Sequence, residues 1–371
     1  MAVYPAARAH AVLEIDLAAI VANWRLLAAR AATAECAAVV KANAYGLGAD
    51  IVAPTLAAAG CRLFFVATLD EGIALRGALG HRAEIAVLNG PLPGSEDEFP
   101  AYDLVPVLND PGQIEAWQAL AGDTGGRDAM LHIDTGMARL GLSRREVTTV
   151  IEQMPSRPVF RWRAMISHLA CADTHDHPLN EVQRARFAAA RGHFAGVPAS
   201  LAASSGIFLG PDFHLDLVRP GAALYGVNPR PGDPNLMHQV INLKGKIIQV
   251  REIDRGESVG YGAAHVMTRP GRVAVVAVGY ADGWPRSLSH RGCGHIAGQR
   301  VPLLGRVSMD LATFDVSAVD PALVRPGTEV ELLGDNYGVD AAAADAGTIG
   351  YEILTALGRR YHRVYRPVSP G

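Results

Sequence analysis

Along the first two-thirds of the chain, short apolar runs recur between longer stretches rich in alanine. The runs are CAAVVK (36–41), RLFFVA (62–67), EIAVL (84–88), DLVPVL (103–108), MLHID (130–134), FRWRAMISH (160–168), PASLAAS (198–204) and HLDLV (214–218). They are too short for ordinary helices and carry almost no polar alternation, so each predicts a strand buried on both faces. The stretches between them, such as DIVAPTLAAAG (50–60) and NEVQRARFAAARGHFAG (180–196), predict helices. Eight strand–helix units in about 190 residues fit a closed parallel (β/α)8 TIM-like barrel; an open doubly wound sheet is the alternative.

Near residue 238 the pattern changes to alternating, β-branched segments: QVINLKGKIIQVREI (239–253), RVAVVAVGY (272–280), VPLLGRVSM (301–309) and TEVELLG (328–334). Glycine and proline separate them instead of helices, which predicts a mostly antiparallel β domain. TIGYEILTALGRRY (348–361) predicts a closing helix, and PRPGDPN (229–235) a linker. The expected organisation is an α/β barrel over 1–238, whose first residues are free to pair with the β domain, followed by that domain over 239–371.

Composition narrows the function. At 371 residues the chain exceeds one core, and 49% apolar with 19% charged residues is ordinary globular usage. The 34 Lys and Arg against 37 Asp and Glu include no basic run, which argues against nucleic acid and acidic membranes as partners. Cys36, Cys61, Cys171 and Cys293 form no CxxC pair, so neither a metal site nor a disulfide framework is expected, and a reducing compartment fits. The opening MAVYPAARAHAVLEID has no basic start before an apolar stretch, and no segment reaches about 18 apolar residues. A cytoplasmic location is expected.

In such a barrel, chemistry sits where the strands end. The first run ends in Lys41, the fifth in His132 and Asp134 with Arg139 nearby, the sixth in Ser167 and His168, the seventh in Ser204 and Ser205, the eighth in Arg219. A lysine closing an apolar strand faces the barrel mouth, where desolvation lowers its pKa and favours imine chemistry. Ser205 and Gly206, with Gly221, offer a hydroxyl and unhindered backbone N–H groups suited to a phosphate. Taken singly, each of these residues also reads as a solvated loop lysine or an ordinary turn.

Together, VVKANAYGLG (39–48), HIDTGMARLG (132–141), SHLACAD (167–173), VRPGAALYG (218–226), VGYGAAH (259–265), GYADGWPR (279–286), GRVSMD (305–310) and TIGYE (348–352) resemble the alanine racemase family, in family order across nearly the whole chain. The resemblance implies an isomerase that interconverts L- and D-alanine, supplies D-alanine for peptidoglycan, uses pyridoxal 5'-phosphate (PLP) and forms a homodimer with shared active sites. It implies that Lys41 binds PLP covalently and that Tyr45, Ser205, Gly221, the Ala222 backbone and Tyr351 hold the phosphate. Arg219 then faces the pyridine nitrogen, and His168 links it to Tyr261. Lys41 and Tyr261 become the two bases, for D-alanine and L-alanine respectively; a two-base inversion needs one on each face. Arg139 and the Met309 backbone receive the substrate carboxylate. Asp173, Tyr280, Arg286 and Arg306 resemble an entry corridor.

The chain departs from the family at three places. His132 stands where a lysine, often carbamylated, is common, so a neutral imidazole or a neighbouring anion is expected to orient Arg139. Ser204 replaces a usual Asn, and Gly350 another. A broader amino-acid racemase, a PLP barrel decarboxylase and a non-enzymatic PLP carrier are the rivals; the latter two lack support, since no catalytic cysteine stands in the matching segments and a carrier needs no β domain.

Overall fold

A computed structural model describes residues 8–124, 127–153 and 160–368; residues 1–7 of the stretch read for a leader lie outside the described residues. Two units emerge: Ile20–Leu224 with Asn228–Met237, and Met1–Ala19 with Tyr225–Val227 and His238–Gly371. The first strand, β1 (Ala11–Asp16), belongs to the latter.

The former unit is the barrel. Its strands are β2 (Glu35–Cys36), β3 (Ala38–Val39), β4 (Leu63–Val66), β5 (Glu84–Val87), β6 (Val105–Leu108), β7 (Ala129–His132), β8 (Trp162–Ile166), β9 (Ala199–Ser200) and β10 (Leu217–Val218). β3 to β9 form one parallel sheet in chain order. β2 and β3 are one run interrupted at Ala37, whose N–H donates to the Val218 carbonyl at 3.0 Å. β10 pairs in parallel with β2, and Ala203 bridges Arg219 on the other side. Those pairings close the ring, so the doubly wound alternative is set aside.

Residues of β4 and β6 are buried throughout, which is why the sequence shows continuous apolar runs there. Helices return the chain between strands. The helix Leu69–Leu79 starts on a capping box, with Thr68 Oγ1 accepting the Glu71 N–H and the Glu71 carboxylate reaching back. Phe99 and Trp117, both fully buried, meet edge to face at 6.1 Å. At the start of the strands a half-buried ion cluster ties the ring together: Arg163 donates to Glu35 at 3.0 Å and to Glu84 at 2.9 Å.

The other unit is built on β11 (Ile241–Ile253), whose alternating burial matches its alternating sequence. Two short strands, β12 (Ser258–Val259) and β13 (His265–Val266), make a separate hairpin. The remainder are β14 (Gly271–Val276), β15 (Cys293–Ile296), β16 (Gln299–Leu304), β17 (Ala312–Asp315), β18 (Glu329–Leu333) and β19 (His362–Arg366). The sheet order is β14-β17-β16-β15-β18-β11-β1-β19, and β14 also pairs with β11. Only β1 with β19 is parallel among these pairings. The expected closing helix is shorter than 348–361, spanning Gly350–Ala356. It stops because the Gly358 N–H turns away to the Asp282 carbonyl at 2.8 Å, an approach a Cβ at Gly358 would block.

Among the described residues no helix is long and apolar enough to cross a membrane, and no cluster of His, Cys, Asp or Glu is arranged for a metal ion.

Arg163→Met leaves two half-buried carboxylates facing each other without their cation. Part of the cluster is wet, so the expected loss is about 1–2 kcal/mol, below that of a fully buried pair. Urea denaturation checks this; an unchanged midpoint would show that the cluster is a solvated surface contact.

Candidate active site

β3 runs into Lys41, and the next four residues turn in the wrong hand. Ala42, Asn43, Ala44 and Tyr45 have φ of 51°, 56°, 53° and 53°. Each such non-glycine residue costs roughly 1–2 kcal/mol, so the turn persists only where its surroundings over-determine it. Glu71 Oε1 accepts the Ala42 N–H at 2.7 Å while its Oε2 accepts the Ala67 N–H at 2.7 Å. Asn43 Oδ1 accepts the Ala49 N–H at 2.9 Å, and Gly46, at φ 84°, donates to the Ala42 carbonyl. Lys41 thereby heads the turn and Tyr45 closes it. Sequence reasoning missed Glu71. Its Thr68-x-x-Glu71 spacing signalled a helix cap, which is only half of what the carboxylate does.

Tyr45 reaches the loop after β10. A Cβ added at Gly221 would lie 2.5 Å from Tyr45 Oη, so glycine is required there for shape. The Gly221 N–H does not stay open for an anion, as the sequence led one to expect: it donates to Ser204 Oγ at 3.0 Å, and the Ala223 N–H to the same oxygen at 3.2 Å. Ser204 therefore braces the loop. Ser205 and Ala222 each open a 3-10 turn, leaving hydroxyl and N–H groups at the turn starts.

Arg219 is buried on the same strand end. It donates to Ser200 Oγ and, at 2.5 Å, to the Ser167 carbonyl. Burial alone pushes its pKa down to about 10, since no carboxylate among the described residues offsets it. A buried guanidinium held only by neutral acceptors calls for a further electron-rich partner. The loop after β8 is fixed by Gln183, which donates to the His168 carbonyl at 2.9 Å and accepts the Ala170 N–H at 2.8 Å. His168 stands within the field of Arg219, and burial followed by that cation pushes its pKa down to about 3. The same two causes take His132 to about 4.

His132 is thus a neutral imidazole. Asn109 donates to the Leu88 and Val107 carbonyls, which leaves its Oδ1 to accept from His132 Nδ1 at 2.8 Å. No hydrogen bond joins His132 to Arg139 among the described residues; Arg139 lies exposed on the following loop. Asp134 is consumed by that loop, accepting the N–H groups of Gly136, Met137 and Ala138. Burial and then the Arg139 cation push the Lys41 ammonium below its ordinary range, with Glu71 pulling the other way. Asp173 is exposed further along.

The β unit holds the other expected residues together on adjoining loops. Tyr261 sits at the tip between β12 and β13, 72% exposed. A Cβ at Gly262 would lie 3.2 Å from Arg306, and one at Gly305 2.8 Å from the Val259 carbonyl, so this hairpin packs against the Met309 loop. The Tyr280 N–H donates to the Ser308 carbonyl at 3.0 Å, and the Ala281 N–H to that of Met309 at 2.9 Å. Ser289 Oγ joins the Arg286 carbonyl to the Val307 N–H. Tyr280, Thr348 and Glu352 line one cleft of about 320 Å³, next to Tyr351.

Residues 15–229 match the family model for the alanine racemase N-terminal domain, and 240–365 that for its C-terminal domain. An alanine racemase of Rhodospirillum rubrum is 52% identical over 98% of both chains, and a catabolic alanine racemase of Mesorhizobium japonicum 49% identical over 97% of this chain and 94% of its own. The crystal structure of the Bartonella henselae alanine racemase, with covalently bound pyridoxal phosphate, superposes with a TM-score of 0.93 at 41% identity, covering 96% of this chain and 100% of that one.

The depressed histidines give a pH signature. Unfolded imidazoles protonate near pH 6.5, folded His132 near 4 and His168 near 3. Between those values the unfolded state binds more protons, so stability is full above pH 6.5 and falls as pH drops. For His132 the loss amounts to about 3 kcal/mol at most. His132→Gln is expected to flatten that slope in urea titrations between pH 6.5 and 4; an unchanged slope would mean that His132 titrates freely.

Proposed function

The chain belongs to the alanine racemase family, and we propose that it interconverts L- and D-alanine with PLP bound at Lys41. The observation that carries this reading is the desolvated lysine heading a left-handed turn, among cationic groups that no carboxylate among the described residues neutralises at Arg219. The residues fit the cofactor. A neutral-leaning amine suits a bond to an aldehyde; Tyr45 Oη, packed against Gly221 where a Cβ would stand, and Ser205 and Ala222 at the starts of their turns would hold the phosphate, and the family resemblance adds Tyr351. Arg219 would supply the fixed donor for the ring nitrogen, and His168, kept neutral by burial and by Arg219, would flank the ring. When bound, the cofactor supplies an electron sink that makes the substrate α-hydrogen acidic.

The protein's part is to hold and move protons. Lys41 Nζ takes the α-proton of D-alanine, and Tyr261 Oη that of L-alanine; each returns a proton when the reaction runs backwards. Arg139 and the Met309 backbone hold the carboxylate so that both bases meet the same carbon. A guanidinium does not give up its proton at neutral pH, so Arg219 would donate to the ring nitrogen without protonating it and so temper the electron sink the cofactor would supply. Asp173, Tyr280, Arg286 and Arg306 line the way in.

The reading includes a homodimer. Tyr261, Tyr280, Met309, Leu311, Ile349 and Tyr351 are all exposed on the β unit, an apolar concentration that a lone surface rarely carries. A second copy covering it would dry Tyr261 and complete each site with residues from both chains. The location is cytoplasmic, where the product serves cell-wall peptidoglycan; a racemase also runs towards breakdown when D-alanine accumulates.

Lys41→Ala removes the covalent link and one base together, so racemisation in both directions is expected to fall by more than about 10³-fold. The cofactor's absorption at the lysine linkage is lost in parallel. Residual activity above a thousandth of wild type, as order of magnitude, would place the chemistry elsewhere.

Mixing Lys41→Ala with Tyr261→Ala subunits tests the shared site. Heterodimers carry one doubly damaged site and one intact site, so random reassortment restores roughly a quarter of wild-type activity. If the subunits exchange and nothing returns, both bases come from one chain.

A further inference from the structure

We propose that Arg360 is a positioning residue for the carboxylate end of the substrate, acting as a staple between the loop that carries Tyr280 and the loop that carries Met309. The inference rests on the reading above that the Met309 backbone meets that carboxylate.

Arg360 follows the helix Gly350–Ala356 and grips two aspartates at once. Its Nε and Nη2 donate to the two carboxylate oxygens of Asp282 at 2.6 and 2.8 Å, a forked pair; its Nη1 donates to Asp310 Oδ1 at 2.7 Å. Asp282 is buried, and its Oδ2 also accepts the Gly279 N–H at 2.9 Å. Asp310 is exposed and directly follows Met309. The two loops meet between these anchors, where Tyr280 and Ala281 donate to the Ser308 and Met309 carbonyls. Their contact is tight enough that a Cβ at Gly279 would fall 2.3 Å from the Met309 oxygen.

Met309 needs such help. Its side chain is 54% exposed, so packing does not set the position of its backbone. The peptide is held instead from both sides, by Ala281 on one and through Asp310 by Arg360 on the other. A lysine cannot do this, because one ammonium does not present two parallel donors to Asp282 and a third to Asp310 in fixed geometry. The guanidinium has a second effect. An unpaired Asp310 beside a carboxylate subsite would repel the substrate, and Arg360, shared with Asp282, offsets part of that charge.

The test uses purified holoenzyme and three variants: Arg360→Ala, Arg360→Lys and Asp310→Asn. KM and kcat are measured for both enantiomers, propionate serves as a carboxylate probe in competitive inhibition, and amide hydrogen exchange is followed over 305–311. Arg360→Ala is expected to raise KM and the propionate inhibition constant together by roughly tenfold, with kcat changed less, and to speed exchange over 305–311. Arg360→Lys should fall between it and wild type. If Arg360→Ala does not fold, Asp310→Asn keeps the forked Arg360–Asp282 pair whole and still loosens 305–311; unchanged exchange there overturns the staple. Lower melting temperature with unaltered KM, propionate inhibition and exchange also overturns it. A wild-type enzyme that racemises alanine but ignores propionate removes the carboxylate premise instead, so failure of that premise and failure of the staple are told apart.

Discussion

A guanidinium buried without a counter-charge organises the barrel mouth. Among the described residues Arg219 donates to Ser200 Oγ and the Ser167 carbonyl and meets no carboxylate, so its field is scarcely neutralised nearby. That field acts with burial to keep His168 and His132 neutral, and Arg139 in turn weakens the proton on Lys41. Placing a cation there costs stability, because desolvation of a charge is not recovered from neutral acceptors. The fold tolerates it at a place where an electron-rich ring and a phosphate would recover the loss on binding, which makes cofactor affinity and apoenzyme instability two aspects of one arrangement.

A second local cost sits on the neighbouring strand end. Four consecutive left-handed residues follow Lys41, and three of them are neither glycine nor asparagine. Glu71 makes them affordable by taking the first N–H of the turn while capping its own helix. One carboxylate thus couples the lysine to the next helix of the barrel. It also partly offsets the downward shift of the Lys41 pKa, so geometry and proton affinity are set by the same side chain.

How much of this could be read from the chain depends on how each feature is encoded. The barrel was legible because strands buried on both faces must be continuously apolar, and Lys41 and Arg219 because a cation ending such a run is conspicuous. The ladder pairings were not: PASLAAS forms strand only over Ala199–Ser200, since the chain leaves the sheet to bring Ser204 against Gly221. Left-handed geometry at Ala42 and Ala44 has no residue-level cue, as nothing in alanine favours it. The closing helix was read too long because helical spacing continues past Ala356, while the contact that ends it, Gly358 to Asp282, comes from a segment 76 positions earlier (358 − 282). For Gly221 the resemblance indicated an open donor, and a serine in the position of a common asparagine closed it.

The β unit obeys a different economy. The barrel residues gain their chemistry from burial, whereas Tyr261 and Met309 stand on exposed loops: the Met309 loop is tied to the Tyr280 loop by backbone hydrogen bonds and by Arg360, and the Tyr261 hairpin packs against it at Gly262 and Gly305. A side chain presented to a ligand at a unit's surface cannot be buried in that unit's core. It has to be presented on a rim whose backbone is rigid enough to hold it. Glycines at 279, 283 and 305 allow this: each lies so close to a neighbouring backbone that a Cβ would collide with it, and one added at Gly283 would fall 1.8 Å from the Ala356 carbonyl oxygen at the end of the helix. Close backbone contact supplies on the surface the precision that side-chain packing supplies in the barrel. Burial at the strand ends of the barrel sets proton affinity and close backbone contact on the rim of the β unit sets loop placement, so substitutions in the two are expected to separate into effects on proton affinity and effects on substrate placement.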